Sequence, residues 1–299
     1  VKSLRRIDPT CHFIFEDRKQ EALGVVASID VGTSGWSYDE WVGPVYPPGL
    51  KPPKRLDFYT RLFHTVEIDS SFYNIPSEVA IRSWASKAPE GFTYAAKIYK
   101  GITHDAKLDP EKYGDGLARF MDRFRPLDHI VHAYLLQLPP SFSKDNPAHL
   151  DNLVRFLETW ERSWPPEKLA VEVRNQSWFV PDTFELLREH GVVYAIPIEP
   201  DIPDIQEITC PSSAYIRFHG FGTHPMFNYK FSDAEIQEWV PKIKNIAGKV
   251  RVHVYFNNHF SGYAVQNALT LMDFLDIPHV DLETVQHRFS PGRGQQHLF

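Results

Sequence analysis

The sequence predicts a single α/β domain, a (β/α)8 barrel of the TIM type, with an N-terminal extension and a mobile C-terminal tail. Short β-branched runs recur near Ser28–Thr33, Thr65–Asp69, Phe92–Ile98, Val131–Leu138, Lys168–Arg174, Val192–Ile198, Ser213–His219 and Val250–Asn257. Longer segments with helical periodicity separate them. Nearly every run also ends in polar or charged residues, as expected where strand ends converge on the catalytic mouth of a barrel. An open doubly wound sheet is the alternative, but no GxGxxG follows the first run. The boundaries are residues 1–27 for the extension, 28–277 for the barrel and 278–299 for the tail.

Helical candidates are "SEVAIRSWASKA", "NPAHLDNLVRFLETW", "PDTFELLREHG" and "SDAEIQEWVPKI". The third has Pro181 near its start and Gly191 just past its end, the usual asymmetry of helix termini. The fourth opens on Ser232-x-x-Glu235, a capping box. In "SGYAVQNALTLMDFL", Val265, Ala268, Leu269, Met272 and Leu275 share one stripe. Pro197 lies inside the sixth strand, where it would interrupt a ladder paired on both sides.

With 299 residues, 42% of them hydrophobic, the chain can bury a large core. A net charge of −6 excludes a globally basic nucleic-acid coat, so a nucleic-acid partner would need a local basic groove. The two cysteines, Cys11 and Cys210, lack metal or disulfide spacing. No apolar run approaches membrane-spanning length, and the N-terminus lacks a signal core, so a cytoplasmic protein without a membrane partner is expected.

Residues i and i+2 of a strand share a face. The strand ends therefore present Glu67 with Asp69, Lys97, Gln137, Glu172 with Arg174, Glu199, Arg217 with His219, and Tyr255 with Asn257. Burying so many ionisable groups without a function would be costly. The first strand ends in "VGTSGWSYDEW", which places Thr33, Ser34 and Gly35 at the mouth and Trp36, Tyr38 and Trp41 over it, either as stacking surfaces or as a hydrophobic plug with Trp41 packed under "VYPPGL". Tyr73, Trp178 and Asn258, in loops that follow strands, complete the candidate ligand-binding residues.

Three chemistries fit this ring. Glu67, Asp69, Glu172 and His219 have the donor types for a single Mg²⁺, Mn²⁺ or Zn²⁺. The last two loops, "RFHGFGTH" and "FNNHFSG", offer Arg217, His219, Asn257, Asn258 and a helix start at Ser261-Gly262 to a phosphate, with Lys97 and Arg174 adding charge. Glu67 and Glu172 can act as acid and base in phosphodiester or glycoside hydrolysis. The catalytic candidates are thus Glu67, Lys97, Glu172, Arg174 and His219. An enzyme acting on a phosphate-bearing small molecule or a nucleic acid is preferred. A non-catalytic nucleotide or nucleic-acid binder and a glycoside hydrolase are the alternatives.

The segments "VGTSGWSYDEWVGPVYPPGL", "TVEIDSSFYNIPS", "GFTYAAKI", "LLQLPPSF", "AVEVRNQSWF", "YIRFHG" and "VYFNNHFSGYAVQNALTL" resemble, in order, the YecE-like family, domain of unknown function 72 (DUF72). The resemblance runs from Asp30 to Leu275 and implies a TIM barrel, but no assigned activity. Members have been suggested to resemble the endonuclease IV and xylose isomerase barrels. A trinuclear zinc site of the endonuclease IV kind would need more strand-end histidines than His219, with His104 and His224 in nearby loops. Asp69 stands where the family usually has Asn, adding a negative charge to the mouth. The last five residues, Gln295 to Phe299, resemble the Q-x-x-L-F peptides that bind DNA sliding clamps, which makes such a clamp a candidate partner.

Overall fold

The computed structural model describes residues 28–222 and 227–290. Eight parallel strands, β1 (Ile29–Thr33), β2 (Thr65–Ile68), β3 (Thr93–Lys97), β4 (Val131–Gln137), β5 (Leu169–Glu172), β6 (Val193–Ile198), β7 (Ser213–Phe218) and β8 (Arg251–Phe256), form one sheet. Its order is β1-β8-β7-β6-β5-β4-β3-β2, which is a barrel with its seam between β1 and β2. Each strand lies within a run read from the sequence.

The seam is held by a side chain as well as by backbone. A Cβ on Gly32 would fall 2.4 Å from the Thr65 carbonyl oxygen, so only glycine lets β1 come this close to β2. The Tyr59 hydroxyl then fills the gap: it accepts from the Thr33 N–H (2.9 Å) and donates to the Thr65 carbonyl (3.1 Å). One turn further on, the Gly35 N–H reaches the Glu67 carbonyl at 2.8 Å and closes the top.

Pro197 sits within β6 without cost. The Ile198 carbonyl accepts from His219 N–H, so Ile198 faces β7 and Pro197 turns its nitrogen toward β5. Pairing of β5 with β6 has already ended at Tyr194, so no ladder donor is lost.

The barrel interior is unusual in its contents. Small residues, among them Ala95, Ala133, Ala170 and Ala195, line the wall beside the buried rings of Tyr215 and Tyr255. Such narrow positions leave volume for large inward side chains on β7 and β8. At the base, a register shift in the β3–β4 pairing makes His132 the bulged residue. Its ring stacks on His253 at 3.7 Å and its Nε2 lies 2.6 Å from the Tyr255 hydroxyl.

The expected helices surround this barrel as Glu78–Lys87, Pro147–Glu161, Pro181–Glu189, Asp233–Ala247 and Tyr263–Phe274. The Ser232–Glu235 capping box is formed as read. One further helix, Leu282–Phe289, falls in the segment 278–299 that the sequence assigned to a tail. It docks rather than dangling: Val285 is fully buried, and Phe289 meets the Phe58 ring edge-on at 5.2 Å. The Gln286 amide also donates to the Val45 carbonyl at 2.9 Å. The extension 1–27 and the motif Gln295–Phe299 lie outside the described residues. Among the described residues no helix is long and apolar enough to cross a membrane.

Replacing Tyr59 with Phe keeps the ring and leaves the Thr33 N–H and Thr65 carbonyl unpaired in a buried seam. The expected loss is about 1–3 kcal/mol of unfolding free energy, read by urea denaturation. An unchanged midpoint would mean that the seam does not depend on this hydroxyl.

Candidate functional site

Arg217 comes off β7 into the barrel and has no exposed surface. Its guanidinium grips Glu67 with two parallel bonds, Nε to Oε2 at 2.9 Å and Nη2 to Oε1 at 2.7 Å. Its Nη1 donates to Glu172 at 2.7 Å. Both glutamates are fully buried as well. Glu67 takes further bonds from the Ser34 hydroxyl (2.5 Å) and the Tyr215 hydroxyl (2.7 Å). Burial would push the Glu172 carboxyl up, but the Arg217 and Arg174 charges outweigh it and hold Glu172 well below the usual carboxylate range. A planar guanidinium always carries its charge and can grip one carboxylate with two parallel bonds while donating to a second, a fixed fork that a lysine ammonium does not offer.

Arg174 forms the next layer, nearer to solvent. Its Nε donates to Glu172 at 2.7 Å, and its Nη1 lies 3.4 Å from Glu199. Its Nη2 lies 2.9 and 3.2 Å from the two ring nitrogens of His219. The Asn257 amide donates to His219 Nδ1 at 3.0 Å. Burial, reinforced by Arg174, lowers the His219 pKa to about 3, so the imidazole is neutral at physiological pH. Burial raises the Glu199 pKa, and its Arg174 partner only partly opposes the rise.

Lys97, at the end of β3, stands opposite. Its ammonium lies 3.3 Å from Asp69 and 4.0 Å above the centre of the Phe72 ring. His104 follows in a π-helical turn, Gly101–Asp105, and packs edge-on against Phe72 at 4.8 Å. Its pKa falls to about 4, from burial first and then from the Lys97 and Arg174 charges. Arg174 thus acts on the imidazoles of both sides of the mouth, and Lys97 on His104.

The glycine-rich end of β1 explains itself here. Gly35 has φ +80°, and a Cβ there would fall 2.4 Å from the Tyr38 hydroxyl. With glycine in place, Tyr38 folds back over the strand end and donates to the Ser34 carbonyl at 2.8 Å. Ser34 in turn holds Glu67, so the rim ring and the buried ion pair belong to one chain of contacts.

Glu67, Lys97, Gln137, Glu172, Arg174, Arg217, His219 and Asn257 lie together at this end of the barrel, with Gln137 3.4 Å from Arg217. Other candidates are placed elsewhere. Trp36 turns into the helix layer, edge-on to Trp84 at 5.6 Å. Trp41 is buried, its indole donating to the His259 carbonyl. Trp178 is likewise buried, stacked on Phe142. Thr33 serves the seam, and Tyr255 lies a layer below the mouth, bonded to Thr65 at 2.6 Å. Asn258 ties the Tyr229 carbonyl to Asn267. Gly262 packs on Val45, with a would-be Cβ 2.7 Å from it. Thr33 and Tyr255 are paired strand residues, whereas the direction of the others, which follow the last paired residue, depends on the loop.

The four-residue metal set is not gathered around a point. Arg217 stands between Glu67 and Glu172, and Asp69 pairs with Lys97. Among the described residues no three His, Cys, Asp or Glu side chains are grouped to hold a metal. Two contributors escaped the list of candidates: Glu199, although it is a strand end, and Tyr215, two residues before Arg217 and hence on its face.

Two outcomes follow from the buried charges. Arg217→Met leaves two carboxylates without their shared cation, and is expected to cost about 3–5 kcal/mol or prevent folding; a stable variant with the wild-type melting temperature would contradict the arrangement. His219 takes a proton at 6.5 when unperturbed but only at about 3 in the fold. Between those values the unfolded chain binds more protons, so stability falls as pH drops. Urea midpoints should decline below pH about 6.5, and His219→Asn should flatten part of that slope.

The DUF72 family model, for proteins of unknown function, matches residues 30–291. The UPF0759 protein YunF of Bacillus subtilis is 27% identical over 285 residues, covering 85% of this chain and 97% of that one. The UPF0759 protein YecE of Escherichia coli is 29% identical over 165 residues, 55% of each chain. A solved DUF72 family protein from Thermotoga maritima superposes with a TM-score of 0.73 at 30% identity, over 83% of this chain and 99% of that one. Another from Enterococcus faecalis gives a TM-score of 0.69 at 24% identity over 84% and 99%, a likeness of fold. A family match that takes in all eight strands and every residue of the charged mouth makes this chain a member of the DUF72 family.

Proposed function

We propose that the mouth is an active site that hydrolyses a phosphate-bearing substrate by general acid catalysis. The observation that carries this reading is the divergence of two carboxylates on one guanidinium. Glu172 and Glu199 both pair with Arg174, yet Glu172 is held low and Glu199 is pushed up. Environments that separate the pKa values of neighbouring carboxyls are how acid and base roles are assigned within one site. Glu199, with a side chain 10% exposed, is the one that solvent and substrate reach.

Lys97 and Arg174 supply the anion-binding charge. All three cations are paired with carboxylates, but Arg217 is fully buried behind the other two, whereas Lys97 and Arg174 keep some side-chain exposure. In the proposed step, water supplies the new P–O bond and releases its proton to solvent. The departing oxygen takes a proton from Glu199, which solvent then restores. Phosphoryl transfer with a loose transition state asks little of a base and much of positioned positive charge. A binder without turnover is the second reading, favoured by the saturation of Glu67 and Glu172 with guanidinium.

Inorganic phosphate titrated into the protein should bind saturably, with affinity reduced about tenfold in Lys97→Met. Phosphomonoester hydrolysis should fall about 10²–10⁴-fold in Glu199→Gln. Phosphate binding with no turnover of any ester selects the binder, and absence of saturable phosphate binding overturns the site.

A further inference from the structure

The rings around the mouth fall into two sets that flank the cations. On the β2–β3 side, Phe72 lies under Lys97 and packs edge-on against both Tyr73 (5.2 Å) and His104 (4.8 Å). Tyr73 is 55% exposed and connects to the Lys97 ammonium through the intervening Phe72 ring. On the β8–β1 side, Tyr38 stacks on His259 at 4.5 Å with the rings nearly parallel. Phe227 lies 6.1 Å from His259 and 6.2 Å from His219, linking that stack to the ring beside Arg174. Tyr38 donates to the Ser34 carbonyl and Ser34 bonds Glu67 of β2, while Asp69, two residues on, pairs with Lys97 above Phe72, so both sets border the same opening.

We infer that the ligand of this mouth is a nucleoside phosphate, with its base on the aromatic rim and its phosphate at Lys97 and Arg174. The inference rests on the proposed anion site and names its substrate class. Every nucleobase has a π face, and stacking on aromatic side chains is tolerant of base identity. A phosphorylated sugar lacking a base would leave the exposed Tyr73 ring unused. Of the polar groups its hydroxyls would need, Glu67, Glu172 and Asn257 are already bonded inside the barrel, which leaves Glu199 as the carboxyl within reach. The same base-plus-phosphate chemistry is offered by a free mononucleotide and by the end of a single strand.

Calorimetric titration of the full chain with inorganic phosphate, ribose 5-phosphate, AMP, UMP and a 5′-phosphorylated oligothymidylate separates these cases. The expected result is binding of both mononucleotides about tenfold or more tighter than ribose 5-phosphate, the gain typical of one stacked base. Tyr73→Ala, at an exposed position where folding is not at stake, should remove most of that gain while phosphate affinity changes less than about twofold. A further rise in affinity with the oligonucleotide assigns the site to a strand end, and equal affinity to the free nucleotide; both retain the inference. Phosphate and ribose 5-phosphate binding as tightly as the nucleotides overturns it and leaves the anion site standing. Binding of none of the five overturns both.

Discussion

The structure depends on one buried cation. Arg217 has no access to water and holds two carboxylates that have none either, at 2.7 and 2.9 Å. Removing three charges from water costs several kcal/mol per ion, and is tolerable only where geometry and additional hydrogen bonds are good. Both conditions are met. The grip on Glu67 is bidentate, and Ser34 and Tyr215 take up its remaining lone pairs. The carboxylates come from β2 and β5 and the guanidinium from β7, so one cluster ties together strands from across the barrel. A core of branched aliphatics, common in barrels of this type, would fill the same volume without fixing which residues stand at the mouth.

The small residues are the other half of that arrangement. Alanines on β3, β4, β5 and β6 and Gly32 on β1 narrow the wall, and large polar side chains from β7 and β8 occupy the space. The barrel is asymmetric as a result, with its bulk entering from β7 and β8. The close approach at Gly32 also creates the seam into which the Tyr59 hydroxyl fits. Local choices of residue size thus decide both how the barrel closes and where its charges lie.

Charge at the mouth is arranged in depth. Arg217 is neutralised in the interior, whereas Lys97 and Arg174 stand nearer to solvent; burial lowers the pKa values of His104 and His219, and Arg174 adds to both and Lys97 to that of His104. Each of these cations also has a carboxylate partner, Asp69 for Lys97 and Glu172 with Glu199 for Arg174. Glu199 differs from Glu172 because it has one guanidinium neighbour at 3.4 Å instead of two at 2.7 Å. Distance and number of partners, rather than residue type, separate the two glutamates.

The sequence by itself determined the eight strands, their order of polar ends and the parity that joins Glu172 to Arg174 and Arg217 to His219. Those follow from a two-residue period and from turn and cap residues, which are local properties of the chain. The helix Leu282–Phe289 was within reach too, since Val285 and Phe289 are four residues apart behind the capping residue Asp281. What only the tertiary structure decided was the partner of each charge and the direction of each ring. Trp36, Trp178 and Asn258 follow their strands closely, yet they point into packing because neighbouring helices and loops offer them contacts there. That Arg217 is spent inside while Lys97 and Arg174 face the opening depends on depth along the barrel axis. Depth comes from strand stagger across the whole sheet, and no local stretch of sequence carries it.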